Sequence, residues 1–374
     1  MTRPVLPIVG LVVLAFALAA CGDVSVSATP IAAESEPAAE SEPAAESEPA
    51  EATPAPQTGE RLADIQDRGT LICGVNGSLA GFSFLEADGT NTGFDADFCR
   101  AVAAAVLGDP EAVEFRALTA DARGPALQTG EVDVLIRNTT WTVTRDTTWG
   151  LFGPTTFYDG QAIMVNASLG AASIEDLAGA TICVQSGTTT ELNLTDRMRE
   201  LGIEYTPAVF ADIDPTYAAY AEGACDAVTS DRSQLVSRRT SLEDPSAHVI
   251  LDDVLSKEPL GPVVPLGDDQ WFNVVRWTVF ATIEAEELGI TQANVQEMAD
   301  TSENPVVLRL LGGEGELGAL LGLDNDWVVN VISAVGNYGE IYDRNLGPET
   351  PFALERGLNA LWSDRGLLYA PPYR

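Results

Sequence analysis

Three short runs place charge-holding side chains at the ends of apolar strands. The first is Gly130 to Arg145, Gly-Glu-Val-Asp-Val-Leu-Ile-Arg-Asn-Thr-Thr-Trp-Thr-Val-Thr-Arg. Val132 to Ile136 reads as a buried strand after a glycine turn, and the pattern then gives way to Asn138, a series of hydroxyls and Arg145. Ligands in open α/β sheets bind at the carboxyl ends of strands, so Asn138, Thr140, Thr142 and Arg145 form half of a candidate anion site. A polar loop carrying a solvated arginine would have the same composition. The second run, Gln185-Ser186-Gly187-Thr188-Thr189-Thr190-Glu191, leads from a strand into a helix. Its unpaired amides and hydroxyls suit an anion, or equally a plain N-cap. The third, Cys225-Asp226-Ala227-Val228-Thr229-Ser230-Asp231, ends a strand in a carboxylate that can pair with a cation or cap the helix starting near Arg232.

These runs need a scaffold, and the chain supplies an alternating one from Arg61 onward. Thr70 to Val75 reads as a strand, Asp95 to Leu107 as a helix with Phe98, Val102 and Val106 on one stripe, Val113 to Leu118 as a strand and Ala122 to Thr129 as a short helix. After Tyr158-Asp159-Gly160 the alternation restarts with strand Thr181 to Val184, helix Glu191 to Leu201, strand Glu204 to Phe210, helix Tyr217 to Glu222 and strand Ala227 to Thr229. Strands alternating with helices predict mostly parallel sheets, here in two α/β units with the second inserted into the first. Helices are expected over Gln270 to Leu288, Gln292 to Asp300, Asp326 to Tyr342 and Pro351 to Ser363. Gly312-Gly313-Glu314-Gly315-Glu316 lacks the lysine of a phosphate loop and reads as a turn.

Ahead of this scaffold, Arg3, an apolar stretch from Pro4 to Leu18 and Leu18-Ala19-Ala20-Cys21-Gly22 read as an export signal, with Cys21 as the residue to be lipidated. The apolar part is short for a membrane span. Ala-Ala-Glu-Ser-Glu-Pro, repeated in tandem between Ala32 and Pro49, offers nothing to pack and predicts a disordered tether with a mean reach of about 35 Å. With Cys21 set aside, Cys73 and Cys99 fall in the first unit, Cys183 and Cys225 in the second. In an exported chain this favours one disulfide per unit over buried free thiols. There is no Cys-x-x-Cys spacing and the only histidine is His248, so neither a metal nor any other cofactor is expected. A formal net charge of −36 excludes electrostatic binding to nucleic acid or to anionic membrane surfaces.

Several of these runs, with Cys73-Gly74-Val75-Asn76, Gly93-Phe94-Asp95-Ala96-Asp97-Phe98-Cys99, Tyr158-Asp159-Gly160-Gln161, Gly267-Asp268-Asp269-Gln270-Trp271-Phe272, Val275-Arg276-Trp277 and Leu368-Tyr369-Ala370-Pro371-Pro372, give the chain a specific resemblance. It resembles the solute-binding proteins of polar amino acid ABC importers, and among them the general L-amino-acid group. The resemblance implies the α/β type II periplasmic-binding-protein fold, with two lobes that are mostly parallel sheets flanked by helices and extra C-terminal helices on lobe 1. With a lipoprotein signal peptide at 1–20 and the tether at 21–60 read from the residues themselves, the resemblance implies lobe 1 at 61–161 and 266–374 and lobe 2 at 162–265. Two strands, Tyr158 to Val165 and Leu260 to Leu266, are expected to cross between lobes that close on one free amino acid. By resemblance Arg145, Thr188 and Thr189 hold the ligand carboxylate, Asn138, Thr140 and Asp231 its ammonium, and Asn76 stands where narrower relatives carry an acid. Leu79, Phe84 and Trp141 either line the side-chain pocket or belong to the core.

The reading is therefore a non-enzymatic binding protein, lipid-anchored on the outer face of the cytoplasmic membrane and serving an ABC permease. An exported dehydratase-like enzyme on the same scaffold and the sensing subunit of a receptor are the competing classes. The anchor is testable directly: Cys21→Ser is expected to move the protein from the detergent phase to the aqueous phase on phase separation, and unchanged partitioning would remove the lipid.

Overall fold

The computed structural model describes residues 59–374, so the signal, Cys21 and the tether lie outside the described residues. Its first sheet has the order Val113–Ala117, Leu71–Val75, Val134–Leu135, Val263–Pro265, Gly150–Phe152. The first three strands are parallel and Val263–Pro265 runs antiparallel to its neighbours. The second sheet has the order Thr206–Phe210, Thr181–Gln185, Ala227–Asp231, Phe157–Asn166, His248–Ile250, again with three parallel strands before the antiparallel ones. The strand Phe157–Asn166 joins the two regions. Its first half, Phe157 to Gln161, pairs antiparallel with Ser256–Leu260, and its second half, Gln161 to Val165, lies in the second sheet beside Ala227–Asp231.

The return path differs in detail from the expected Leu260 to Leu266. Ser256–Leu260 makes the pairing, Gly261 and Pro262 break it, and Val263–Pro265 already belongs to the first sheet, just before the boundary drawn at 266. Proline removes the N–H that an uninterrupted ladder would need, which explains the break. The C-terminal stretches also depart from expectation. Asp326 to Tyr342 is two helices, Trp327–Val335 and Tyr338–Asn345, because Gly336 ends the first at φ 78° and Asn337 starts the second with a Glu340 capping box. Pro351 to Ser363 holds only the 3-10 turns Gly357–Asn359 and part of Trp362–Asp364, with Ala353 in the left-handed region at φ 48°. The Gly312 to Glu316 turn lies where expected, between helices Pro305–Leu310 and Leu317–Leu321.

The core explains why these pieces stay together. Trp271, Val274, Val275 and Val279, the apolar stripe of Asp269–Glu287, are buried beside Phe94–Leu107 and Trp327–Val335. Trp271 also donates its indole N–H to the Asp133 carbonyl at 2.8 Å, tying this late helix to the early sheet. Asp133 is buried and takes Arg61 at 3.1 Å, Arg68 and the Ile72 amide at 2.8 Å. A buried carboxylate is tolerated when it is paired and hydrogen-bonded in this way.

Disulfides join Cys73 to Cys99 and Cys183 to Cys225, one under each sheet, at sequence separations of 26 and 42. Chain entropy puts their contributions at roughly 3.5 and 4 kcal/mol. Replacing Cys183 and Cys225 together by alanine is expected to lower unfolding free energy in urea by about 3 to 4 kcal/mol. Free thiols beyond the one that Cys21 can supply, detected on the oxidised wild type, would refute the pairing.

Candidate ligand site between the two sheets

The first sheet presents its polar groups as expected, with additions. After Val134–Leu135 the chain turns through Arg137 and Asn138, the latter at φ 32°, a conformation that asparagine tolerates better than most residues. Asp95 holds it there by accepting the Asn138 amide at 2.8 Å. Asn76 donates to the Asn138 side-chain oxygen at 3.3 Å, so Asn76 supports the site through Asn138. Arg145 lies in the helix Val143–Thr148, donates to the Thr140 carbonyl at 3.0 Å and sits 4.8 Å over the Trp149 ring. Thr142, grouped with the anion binders on sequence grounds, instead caps this helix by accepting the Arg145 amide at 3.2 Å.

Arg123 was not singled out by the sequence. It opens the helix Arg123–Gln128, places its guanidinium 5.6 Å over the same Trp149 ring and donates to the Gly187 carbonyl of the second region at 3.4 Å. The position of Trp149 requires Gly124, since a Cβ there would come within 2.6 Å of the indole. Arg137 completes a trio of buried arginines, its Nε donating to the Leu118 carbonyl at 2.8 Å. Two weak signals were present: a cation at a helix start opposes the helix dipole, and Arg137 interrupts an apolar strand.

Opposite them the second sheet brings carboxylates. Asp231 ends Ala227–Asp231, is only 6 % exposed, and its side chain caps no amide of the following helix Arg232–Arg239. The capping alternative for this residue is therefore not realised. Asp159 and Glu258 face each other across the paired crossing strands. Glu258, 1 % exposed, accepts from Thr189 at 2.9 Å, from Asn193 at 2.8 Å and from Ser256. Asp159 accepts the Gly160 and Ser233 amides at 2.8 and 3.2 Å. Thr188 is the N-cap of Thr189–Leu201, accepting the Glu191 amide at 3.2 Å and donating to the Gln185 carbonyl at 2.6 Å, so plain capping occupies its hydroxyl here. Gly187 before it packs against Asp121 of the first region and has φ 69°, a place no side chain could occupy.

The electrostatics follow from this segregation. Burial raises Asp231 well above the usual carboxylate range and neighbouring Asp159 and Glu258 raise it further, against the pull of Arg123 and Arg145. Burial also lowers all three arginines, Arg137 to about 10 and Arg123 further because Arg145 and Arg137 lie near it; guanidiniums nonetheless stay charged at neutral pH. The halves meet through Thr140 to Thr189 at 3.3 Å and Asn138 to Gln234 at 3.3 Å, around a cavity of about 20 Å³ lined by Arg123, Arg137 and Asp231 among others. A cavity of about 440 Å³ elsewhere is larger but aromatic, with Trp141 stacked on Phe152 at its edge. Convergence of charge, rather than volume, marks the site. Leu79 is core, Phe84 lines a separate cavity with Arg344, and Trp141 lies at the aromatic one, so none of the three lines the polar cleft.

A profile of the bacterial extracellular solute-binding proteins, family 3, matches residues 71–298. The chain belongs to that family. It is 53% identical over 316 residues to the general L-amino acid-binding periplasmic protein of Rhizobium johnstonii, covering 84% of this chain and 92% of that one. It is 51% identical over 314 residues to the glutamate/glutamine/aspartate/asparagine-binding protein of Rhodobacter capsulatus, covering 84% and 93%. Among solved structures, a Brucella ovis periplasmic binding protein with glutathione bound superposes with a TM-score of 0.82 at 52% identity, covering 84% of this chain and 99% of that one. As a solute-binding protein of two α/β sheets joined by crossing strands, the chain has the architecture that the resemblance implied. Among the described residues no helix is long and apolar enough to cross a membrane.

Asp95 gives this site a pH signature. Burial pushes its carboxyl up to about 7, against the Asn138 amide and Arg137. The unfolded group titrates near 4, so the folded state holds a proton that the unfolded state releases, and stability falls as pH rises from about 4 through 7. Asp95→Asn is expected to flatten the loss of Tm between pH 5 and pH 8. An unchanged slope would assign that loss to the other buried carboxylates, Asp231 and Asp159, which burial shifts in the same direction.

Proposed function

We propose that this protein captures free L-amino acids outside the cytoplasm and hands them to an ABC importer, doing no chemistry itself. The observation that carries the reading is the opposed placement of buried charge: arginines from the first sheet, carboxylates from the second sheet and the crossing strands. An α-amino acid presents one carboxylate and one ammonium on adjacent positions, and burying both requires a partner for each. Arg145 takes the carboxylate with Thr188 and Thr189, and Asp231 takes the ammonium with Asn138 and Thr140. Asn76 acts by orienting Asn138. Arg123 has a buried Nε without a hydrogen-bond partner, a donor suited to a polar or acidic ligand side chain.

The lobes are 61–161 with 266–374, and 162–265, their exact junctions following the crossing strands. About 20 Å³ holds a single water, so a zwitterion cannot share the cleft with the Thr140–Thr189 and Asn138–Gln234 contacts; it replaces them as it enters between separated lobes. Each lobe alone satisfies only part of either end of the ligand. Closure is then driven by contacts available only when the lobes meet. The names of the Rhizobium and Rhodobacter relatives support amino acids as the class and several of them as ligands. A catalytic alternative would need an acid–base group over the ligand, whereas His248 bonds Tyr220 at 2.7 Å and lies outside the cleft lining. Lipid on Cys21 and an ABC permease complete the proposal.

Calorimetry separates the roles. Wild type is expected to bind several L-amino acids but not their deaminated acids, Asp231→Ala to weaken amino acid binding by roughly 30-fold to several thousand-fold, and Asp231→Asn to narrow the gap by losing the amino acid more than the acid. Unchanged affinity in Asp231→Asn would place the ammonium elsewhere.

A further inference from the structure

Residues 299–374 lie beyond the stretch that the family profile matches, and they reach the crossing strand in a specific way. Between Phe157 and Gly160 that strand has a strand partner on one edge only, Lys257 to Leu260, since Ala227–Asp231 joins it from Gln161 onward. On the other edge the Asn359 side chain takes the place of a strand. Its oxygen accepts the Tyr158 amide at 2.6 Å and its nitrogen donates to the Tyr158 carbonyl at 3.2 Å, and the residue is buried.

Asn359 is itself held on a built platform. Its carbonyl accepts from Arg356 Nε at 2.8 Å, while Nη2 of the same guanidinium donates to both Glu286 oxygens at 3.1 Å and the group lies 5.0 and 5.1 Å over Tyr338 and Tyr342. Tyr338 adds a second fastening by donating its hydroxyl to the Thr156 carbonyl at 2.7 Å. Beyond the fastened residues comes Asp159, which accepts the Ser233 amide at the start of Arg232–Arg239. That helix follows Asp231 directly and carries Gln234 to Asn138. Covalent and hydrogen-bonded links thus run without a gap from the C-terminal platform to the carboxylate side of the cleft.

We propose that Asn359 is a positioning residue for ligand capture: it clamps Tyr158 so that the lobes bend beyond that point, at Asp159 and Gly160, and close in one register. This rests on the capture reading above. An unclamped strand would sample more orientations in the open state and would lose more freedom on closing, so affinity falls when the clamp is removed.

The test uses the intact protein with Asn359→Leu, which keeps size and removes both hydrogen bonds, and Tyr338→Phe, which removes only the second fastening. In ligand-free protein, Asn359→Leu is expected to speed hydrogen exchange of the Tyr158 amide at least tenfold. Calorimetry and stopped-flow, run at a temperature at which circular dichroism shows each variant folded, are expected to show a Kd about tenfold weaker for Asn359→Leu, carried by faster dissociation, the scale of one to two net hydrogen bonds. Tyr338→Phe shifts both in the same direction by less. A lower Tm with Kd and dissociation rate within twofold of wild type, or tighter binding, overturns the proposal and leaves Asn359 a packing residue. Failure of the wild type to bind any amino acid is a different result: it defeats the capture reading, while the exchange measurement still reports on the clamp.

Discussion

A charge removed from water costs several kcal/mol unless an opposite charge or a set of hydrogen bonds receives it, and this protein buries a group of each sign in one place. Arg123, Arg137 and Arg145 come from two short helices and a turn around the first sheet; Asp231, Asp159 and Glu258 come from the second sheet and the crossing strands. Burial, and after it the crowding of like charges, raises the free energy of each side, which is why Asp231 and Asp159 are pushed up and Arg123 and Arg137 down. Neither half is comfortable alone. The supporting features answer that discomfort: Trp149 under two guanidiniums, Asp95 behind Asn138, Ser233 and Gly160 amides on Asp159, and Thr189 and Asn193 on Glu258.

How much of this was visible in the chain depends on the range of the interaction responsible. Strand and helix identities come from local apolar periodicity, and Leu71–Val75, Phe94–Leu107, Thr181–Gln185 and Thr189–Leu201 lie within a residue or two of their expected spans. Asp231 stood out because it ends a strand, and Asn138 and Arg145 because they belong to the polar run that follows one, where the sequence changes abruptly from apolar to polar. Glu258 was not, because nothing in Ser-Lys-Glu-Pro-Leu distinguishes a buried acid from an exposed one; its burial arises from pairing with a strand almost a hundred positions away. Arg123 was missed for a related reason, its neighbours Trp149 and Gly187 being remote in sequence. The irregular stretch after Pro351 has helix-compatible composition but is shaped by Asn359 and Arg356, whose partners lie on other elements.

The two hydroxyl-rich runs show a second limit. Thr188 does cap its helix and Thr142 caps another, yet the helix at Thr189 also opens toward buried carboxylates and arginines. Capping and ligand contact draw on the same groups at a helix start, because the amides left over there are available to either. A sequence can mark such a position. It takes the opposite sheet to say what the position faces.

The first sheet is assembled from both sides of the insertion, with Val263–Pro265 slotted between Val134–Leu135 and Gly150–Phe152, and Trp271 bonded back to Asp133. For a chain delivered amino end first across a membrane, this sets an order of events. The inserted sheet, its strands lying between Phe157 and Leu260, can form while the rest is still in transit. The first sheet stays short of a strand until Val263–Pro265 arrives, and the crossing strand lacks its Asn359 partner until nearly all of the 374 residues have emerged. A chain halted before Val263 could therefore complete the inserted sheet but not the first, and would hold only one side of the cleft.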